Sequence, residues 1–180
     1  MGDETEHHHR NWLEERRSAL WMRDIVHIYG LACQIHSVDV VPVVGIEIPG
    51  VTFHTGDGRG LAKTFDNGFL RRLARPLLVI EDADHRPETT YAVLKFFDSW
   101  MRPGEYIVVE DGIVNDMGHE VQYAGGPLAA MARFLTERGK DYEIDRRYCD
   151  WFGGNVTWNV DGFLRRRPRP VDVRDQPRDL

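Results

Sequence analysis

The sequence predicts an α/β layer structure, a mostly parallel sheet with helices on both faces. Three observations carry that reading. Segments of β character alternate with segments of helical periodicity, and each crossover must climb back over a sheet face before the next strand starts. The runs "LLVI" (77–80) and "YIVV" (106–109) are continuously apolar, the pattern of strands buried on both faces. Four β runs end in acids: "HSVD" at Asp39, "VTFHTGD" at Asp57, "LLVI" before Asp82 and Asp84, and "YIVV" before Glu110 and Asp111. In such sheets ligands bind in the crevice beyond the carboxyl ends of the strands.

The elements follow in order. Residues 11–29 carry Leu13, Leu20, Ile25 and Ile28 at roughly helical spacing, and Gly30 can end that helix. "CQIHSVDVV" (33–41) and "GVTFHTGDGRG" (50–60) are strand candidates, the second broken at Gly56, Asp57 and Gly58. A helical piece over 66–74 leads through Arg75 and Pro76 into "LLVI". Residues 87–101 read as a helix with Pro87 in its first turn and Tyr91, Leu94, Phe97 and Met101 on one side. Pro103 and Gly104 turn the chain into "YIVV". Gly125, Gly126 and Pro127 open a helix through Leu128, Met131, Ala132 and Leu135 that closes at Gly139. "YEIDRRY" (142–148) and "VTWNVDGFLRR" (156–166) are the closing β segments. Residues 1–10 read as a polar tail, 11–166 as one domain, and 167–180 as a Pro/Arg/Asp-rich tail.

Composition narrows the function classes. A chain of 180 residues, 42% hydrophobic and 29% charged, suits one core-bearing domain. A net charge of -6 argues against a general affinity for nucleic acid or an anionic membrane. Cys33 and Cys149 make neither a disulfide framework nor a metal-ligand spacing, which points to a reducing cytoplasm. No apolar run reaches membrane-spanning length.

Acids at strand ends have an ordinary explanation, since Asp and Gly favour turns. Glu110 and Asp111 beside Asp84 and His85 demand more, because crowded carboxylates repel unless a cation or a proton sits among them. A hard divalent cation such as Mg²⁺ suits such an oxygen-rich site.

The segments "LLVIEDADHRPETTYAVLKFFDSWMRPGEYIVVEDGIVND", "GPLAAMARFLTERGKDYEIDRRYC" and "NVTWNVDGFLRR" resemble the cephalosporin hydroxylase family. That family is a group of Rossmann-like, class I S-adenosylmethionine methyltransferase folds that includes rhamnosyl O-methyltransferases. The likeness spans roughly residues 18–166.

The resemblance implies a Mg²⁺-assisted O-methyltransferase acting on a small-molecule or sugar hydroxyl. It assigns the metal to Asp84, Glu110 and Asp111, and the cofactor S-adenosylmethionine to Asp39 (ribose), Asp57 (near the adenine) and Asp82. Asp84 and His85 stand as candidate catalytic groups, with His85 either a base or a packing residue. The expected partner is a small-molecule or glycosyl substrate, with no nucleic acid or membrane, and a homo-oligomer stays open. Family members begin with a strand and glycine-rich turn just before the helix matching "SALWMRDIV"; here residues 1–17, "MGDETEHHHRNWLEERR", hold no β run. The expectation is therefore a sheet lacking its first strand, which belongs between the strands ending at Asp39 and Ile80. The competing reading is a non-catalytic relative that binds a partner through an incomplete sheet.

Overall fold

The computed structural model describes residues 17–168. The chain forms two compact units that divide between Asp57 and Gly58.

The first unit holds helix α1 (Arg17–Ile28) and strands β1 (Ile35–Asp39) and β2 (Val51–Thr55). Positions 11–16 of the predicted helix lie outside the described residues. Beyond α1 the chain turns at Gly30, whose φ of 62° is a left-handed conformation that glycine adopts freely. Strands β1 and β2 are parallel, with Ile35 opposite Val51 and Asp39 opposite Thr55. His36 Nδ1 lies 3.1 Å from His54 Nε2 across the pair.

The second unit runs through a 3₁₀ segment (Gly58–Lys63), α2 (Asn67–Arg72), β3 (Leu78–Glu81), α3 (Pro87–Asp98) and β4 (Tyr106–Val109). A 3₁₀ turn (Gly112–Val114), α4 (Gly126–Arg138) and β5 (Tyr142–Ile144) come next. Another 3₁₀ turn (Arg146–Tyr148), the hairpin β6 (Asp150–Trp151) and β7 (Gly154–Asn155), and β8 (Phe163–Arg166) complete it. Asp66 caps α2, its Oδ1 accepting from the Phe69 N–H at 2.6 Å.

The four-stranded sheet has the order β3-β4-β8-β5. Strands β3 and β4 are parallel, whereas β8 runs antiparallel to both β4 and β5. The mostly parallel expectation is thus met by β1–β2 and β3–β4 and corrected at β8. There the return from β5, residues 145–162, contains a 3₁₀ turn and a hairpin in place of a helical crossover, and the chain direction reverses. Among the described residues no strand precedes β1, and β1 and β3 each pair on one side only. None of the described helices is long and apolar enough to cross a membrane.

The core of this unit is built by Leu94 of α3, Ile107 and Val109 of β4, Phe134 of α4, Tyr142 of β5 and Leu164 of β8, all essentially inaccessible. Each large apolar side chain so buried contributes roughly 1.5–3 kcal/mol. The core stripe of α4 is Pro127, Ala130, Met131 and Phe134, so only Met131 of the expected face turns fully inward. Leu78 departs from expectation too, being 57% exposed. Of the two closing β segments, only 142–144 and 163–166 are strands; Asp145 and Asn159 lie outside them.

Glu105 fixes where β3 and β4 begin. Its buried carboxylate accepts from Arg75 Nη1 at 2.7 Å, the Leu77 N–H at 2.9 Å and the Arg102 N–H at 2.6 Å. Three charge-assisted bonds tie the approach to β3 onto the turn before β4. The two strands consequently start and end level.

Candidate metal centre

In the parallel register, Leu78 lies opposite Tyr106 and Glu81 opposite Val109. The ladder continues one step further, with the Glu110 N–H donating to the Glu81 carbonyl at 2.9 Å. Residues 82–85 and 110–111 therefore leave the sheet at one edge, side by side.

Three side chains meet there. Ligand atoms of Asp82, His85 and Asp111 all lie within 4.8 Å of one another. His85 Nε2 stands 3.5 Å from Asp111 Oδ2. Both residues have left-handed backbones, φ 56° at His85 and 55° at Asp111, a conformation that costs a side-chain-bearing residue energy and persists where its surroundings hold it. Tyr123 sets its ring edge-on to His85, with centroids 5.4 Å apart.

The electrostatics match that crowding. Burial first, then the neighbouring charges of Asp82, Asp111 and Glu81, push the Glu110 carboxyl up to about 7. Burial and then Asp111 raise Asp82, with His85 opposing. Burial also raises Glu81, whose carboxylate accepts from the Ala83 N–H at 3.3 Å. Four acids around one imidazole are costly to ionise together without a positive charge. Two carboxylates and an imidazole nitrogen at this spacing form a donor set that a divalent cation fits.

The sequence-predicted residues fall as follows. Asp111 is in the cluster. Asp82 and His85, expected at the cofactor and as a catalytic group, stand with it as potential ligands. Asp84 is exposed and turned to its own backbone, its Oδ1 accepting from the Arg86 N–H at 3.1 Å. Glu110 is half-buried beside the trio and coupled to it by charge. Asp39 and Asp57 belong to the first unit; Asp39 Oδ1 accepts from the Val41 N–H at 2.8 Å just beyond β1. Glu81 and Tyr123 went unnoticed in the sequence. Glu81 continues an apolar run and Tyr123 is a lone aromatic in a turn, so neither carries a local signal.

The family described as rhamnosyl O-methyltransferase/CmcI matches residues 68–167, more than half of the chain. The chain belongs to that family. Its match covers the whole acidic edge, from α2 to β8. A rhamnosyl O-methyltransferase of Mycobacterium leprae is 33% identical over 93 residues, 51% of this chain and 39% of that protein. One from Mycobacterium tuberculosis H37Rv is 33% identical over 92 residues, 50% of this chain and 36% of its own length. This member of the rhamnosyl O-methyltransferase/CmcI family thus aligns with well under half the length of these curated relatives. Among solved structures, CmcI with Mg and SAM superposes with a TM-score of 0.56 at 24% identity, covering 84% of this chain and 60% of that one. CmcI with SAH gives 0.57 at 23% identity, covering 84% and 64%. The family member shares their α/β fold.

Proposed function

We propose that this chain carries the metal- and acceptor-binding edge of an S-adenosylmethionine-dependent O-methyltransferase acting on a sugar or small-molecule hydroxyl. The observation that carries the reading is the convergence of Asp82, His85 and Asp111 at the shared carboxyl end of β3 and β4. The names of the relatives, rhamnosyl O-methyltransferases, supply the substrate class.

In this reading Asp82 and Asp111 hold a divalent cation, with His85 completing or flanking the set and Glu110 adding charge behind it. A Mg²⁺ ion held by these residues would supply Lewis-acid activation of an acceptor hydroxyl, and bound S-adenosylmethionine would supply the methyl group. His85, already facing Asp111, takes the proton released by the acceptor. Asp39 and Asp57 receive the nucleoside end of the cofactor.

A second reading, a partner-binding relative without catalysis, is favoured by the single-sided pairing of β1 and β3 among the described residues. Calorimetry separates the two. Heat of binding for Mg²⁺ and for S-adenosylmethionine, followed by transfer of a labelled methyl group to a glycoside, supports the enzyme; absence of both binding heats supports the partner-binding relative.

A further inference from the structure

We propose that Tyr123 is a positioning residue of this edge: its ring selects the orientation of the His85 side chain that turns Nε2 toward Asp111. The inference rests on the reading of Asp82, His85 and Asp111 as a cation site.

The backbone alone does not decide where the imidazole points. The left-handed φ of 56° fixes the main chain at residue 85. The torsion that swings the ring is broad and roughly two-fold, so one setting presents a ring nitrogen to a ligand and the opposite setting a carbon. Which nitrogen is offered is decided by the neighbours of the ring. His85 Nε2 stands 3.5 Å from Asp111 Oδ2, long for a hydrogen bond, so Asp111 by itself holds the ring loosely. The Tyr123 ring meets the imidazole at 81° with centroids 5.4 Å apart, within the range of a favourable aromatic pair.

Tyr123 reaches His85 because the segment after the 3₁₀ turn (Gly112–Val114) folds back on itself. The His119 N–H donates to the Val114 carbonyl at 2.9 Å, the Tyr123 N–H to the His119 carbonyl at 3.1 Å, and the Gly125 N–H to the Glu120 carbonyl at 2.8 Å. Asn115 Nδ2 donates to the Gly125 carbonyl at 3.1 Å and closes the loop. His119 sets its ring at 76° to Tyr123 with centroids 6.3 Å apart, so the tyrosine contacts an imidazole of its own loop as well as His85.

The loop ends at Gly126, where a side chain would come within 2.9 Å of Val114 Cγ2 and 3.1 Å of Asn115 Oδ1. With φ 61° as well, this position requires glycine. The same added side chain would lie 3.9 Å from the His85 carbonyl. The loop therefore returns to residue 85 twice, the Tyr123 ring against the imidazole and the Gly126 backbone beside the main chain. It leaves Asp111 and closes on His85, which couples the end of β4 to the turn after β3. The contact at the imidazole is between rings, so phenylalanine is the conservative replacement at 123 and leucine, apolar but without a ring, the disruptive one.

The test uses the full 180-residue chain with ¹³C-labelled histidine and Mn²⁺ alone as the metal probe. The His85 imidazole signals are those lost in His85→Gln. In the parent, nuclear Overhauser contacts between the Tyr123 ring and the His85 imidazole are expected; their absence overturns the proposal without recourse to any variant. Tyr123→Leu should move the His85 signals. It should also weaken Mn²⁺ binding, followed by electron paramagnetic resonance, about threefold, since a ligand held in its binding orientation for only part of the time binds correspondingly less. Tyr123→Phe should return both readouts to the parent values. A merely structural tyrosine would lower the melting temperature of Tyr123→Leu and leave the His85 signals or the Mn²⁺ affinity unmoved, and either result overturns the positioning role. Failure of Tyr123→Phe to restore them also overturns it and assigns the effect to the hydroxyl. A parent that binds no Mn²⁺ overturns the cation site instead, while the Overhauser contacts and His85 signals still decide whether Tyr123 orients the imidazole.

Discussion

His85 and Asp111 face each other at 3.5 Å from two left-handed backbone positions, one in the turn after β3 and one directly after β4. Aspartate and histidine are among the side-chain-bearing residues that enter this region most readily, and the two turns hold them there. Asparagine tolerates the left-handed region better than alanine. Asp111→Asn is therefore expected to keep the fold while weakening Mg²⁺ binding at least tenfold. Asp111→Ala should lose the metal and about 1 kcal/mol of stability as well. Thermal unfolding with and without Mg²⁺ reads both effects.

Glu110 predicts a pH dependence. Its carboxyl is raised to about 7, chiefly by burial and then by Asp82, Asp111 and Glu81. An acid with a raised pKa binds more protons folded than unfolded, so stability falls as pH climbs from about 4.5 to about 7. Without metal, the melting temperature should decline across that window, and Mg²⁺ should offset the decline at its upper end. Glu110→Gln should flatten the profile; a melting curve insensitive to this substitution contradicts the crowding described at the sheet edge.

Glu105 predicts a purely structural loss. It is nearly inaccessible and satisfies Arg75, the Leu77 N–H and the Arg102 N–H at once. Glu105→Ala leaves a part-buried guanidinium and two part-buried backbone donors without their acceptor, for a loss of about 3 kcal/mol. Denaturant titration should show this, with Mg²⁺ affinity falling only as far as the level ends of β3 and β4 are disturbed.

Cofactor affinity is the fourth expectation. Among the described residues no strand with a glycine-rich turn precedes β1; Asp39 and Asp57 are the residues proposed for the nucleoside end. A backbone without side chains is what lets such a turn close on the methionine part of the ligand. The 180-residue chain should bind S-adenosylmethionine weakly by calorimetry. Micromolar affinity in a folded monomer contradicts the weight placed on that turn.

The sequence made the strands legible because "LLVI" and "YIVV" are short apolar runs bounded by turn residues, and it made the acidic edge legible because Glu110 and Asp111 follow the second run directly. It did not show which acid after "LLVI" faces Asp111. That depends on how the 82–85 turn coils: His85 takes φ 56°, and Asp84 spends its Oδ1 on the Arg86 N–H. Neither fact leaves a mark on composition or period. The antiparallel run of β8 was hidden for a similar reason, since apolar alternation in "GFLRR" is blind to direction. The helical face of α4 shifted because Pro127 and Phe134 pack inward while Leu128 and Leu135 are only partly covered.

The central claim is that the cation site is built on Asp82 and Asp111, with Asp84 outside it. Mn²⁺ binding followed by electron paramagnetic resonance, competed with Mg²⁺, tests this most directly in paired Asp82→Asn and Asp84→Asn chains. The account predicts that Asp82→Asn weakens binding at least tenfold while Asp84→Asn stays within about twofold of the parent. Loss of binding in Asp84→Asn with full binding in Asp82→Asn contradicts it.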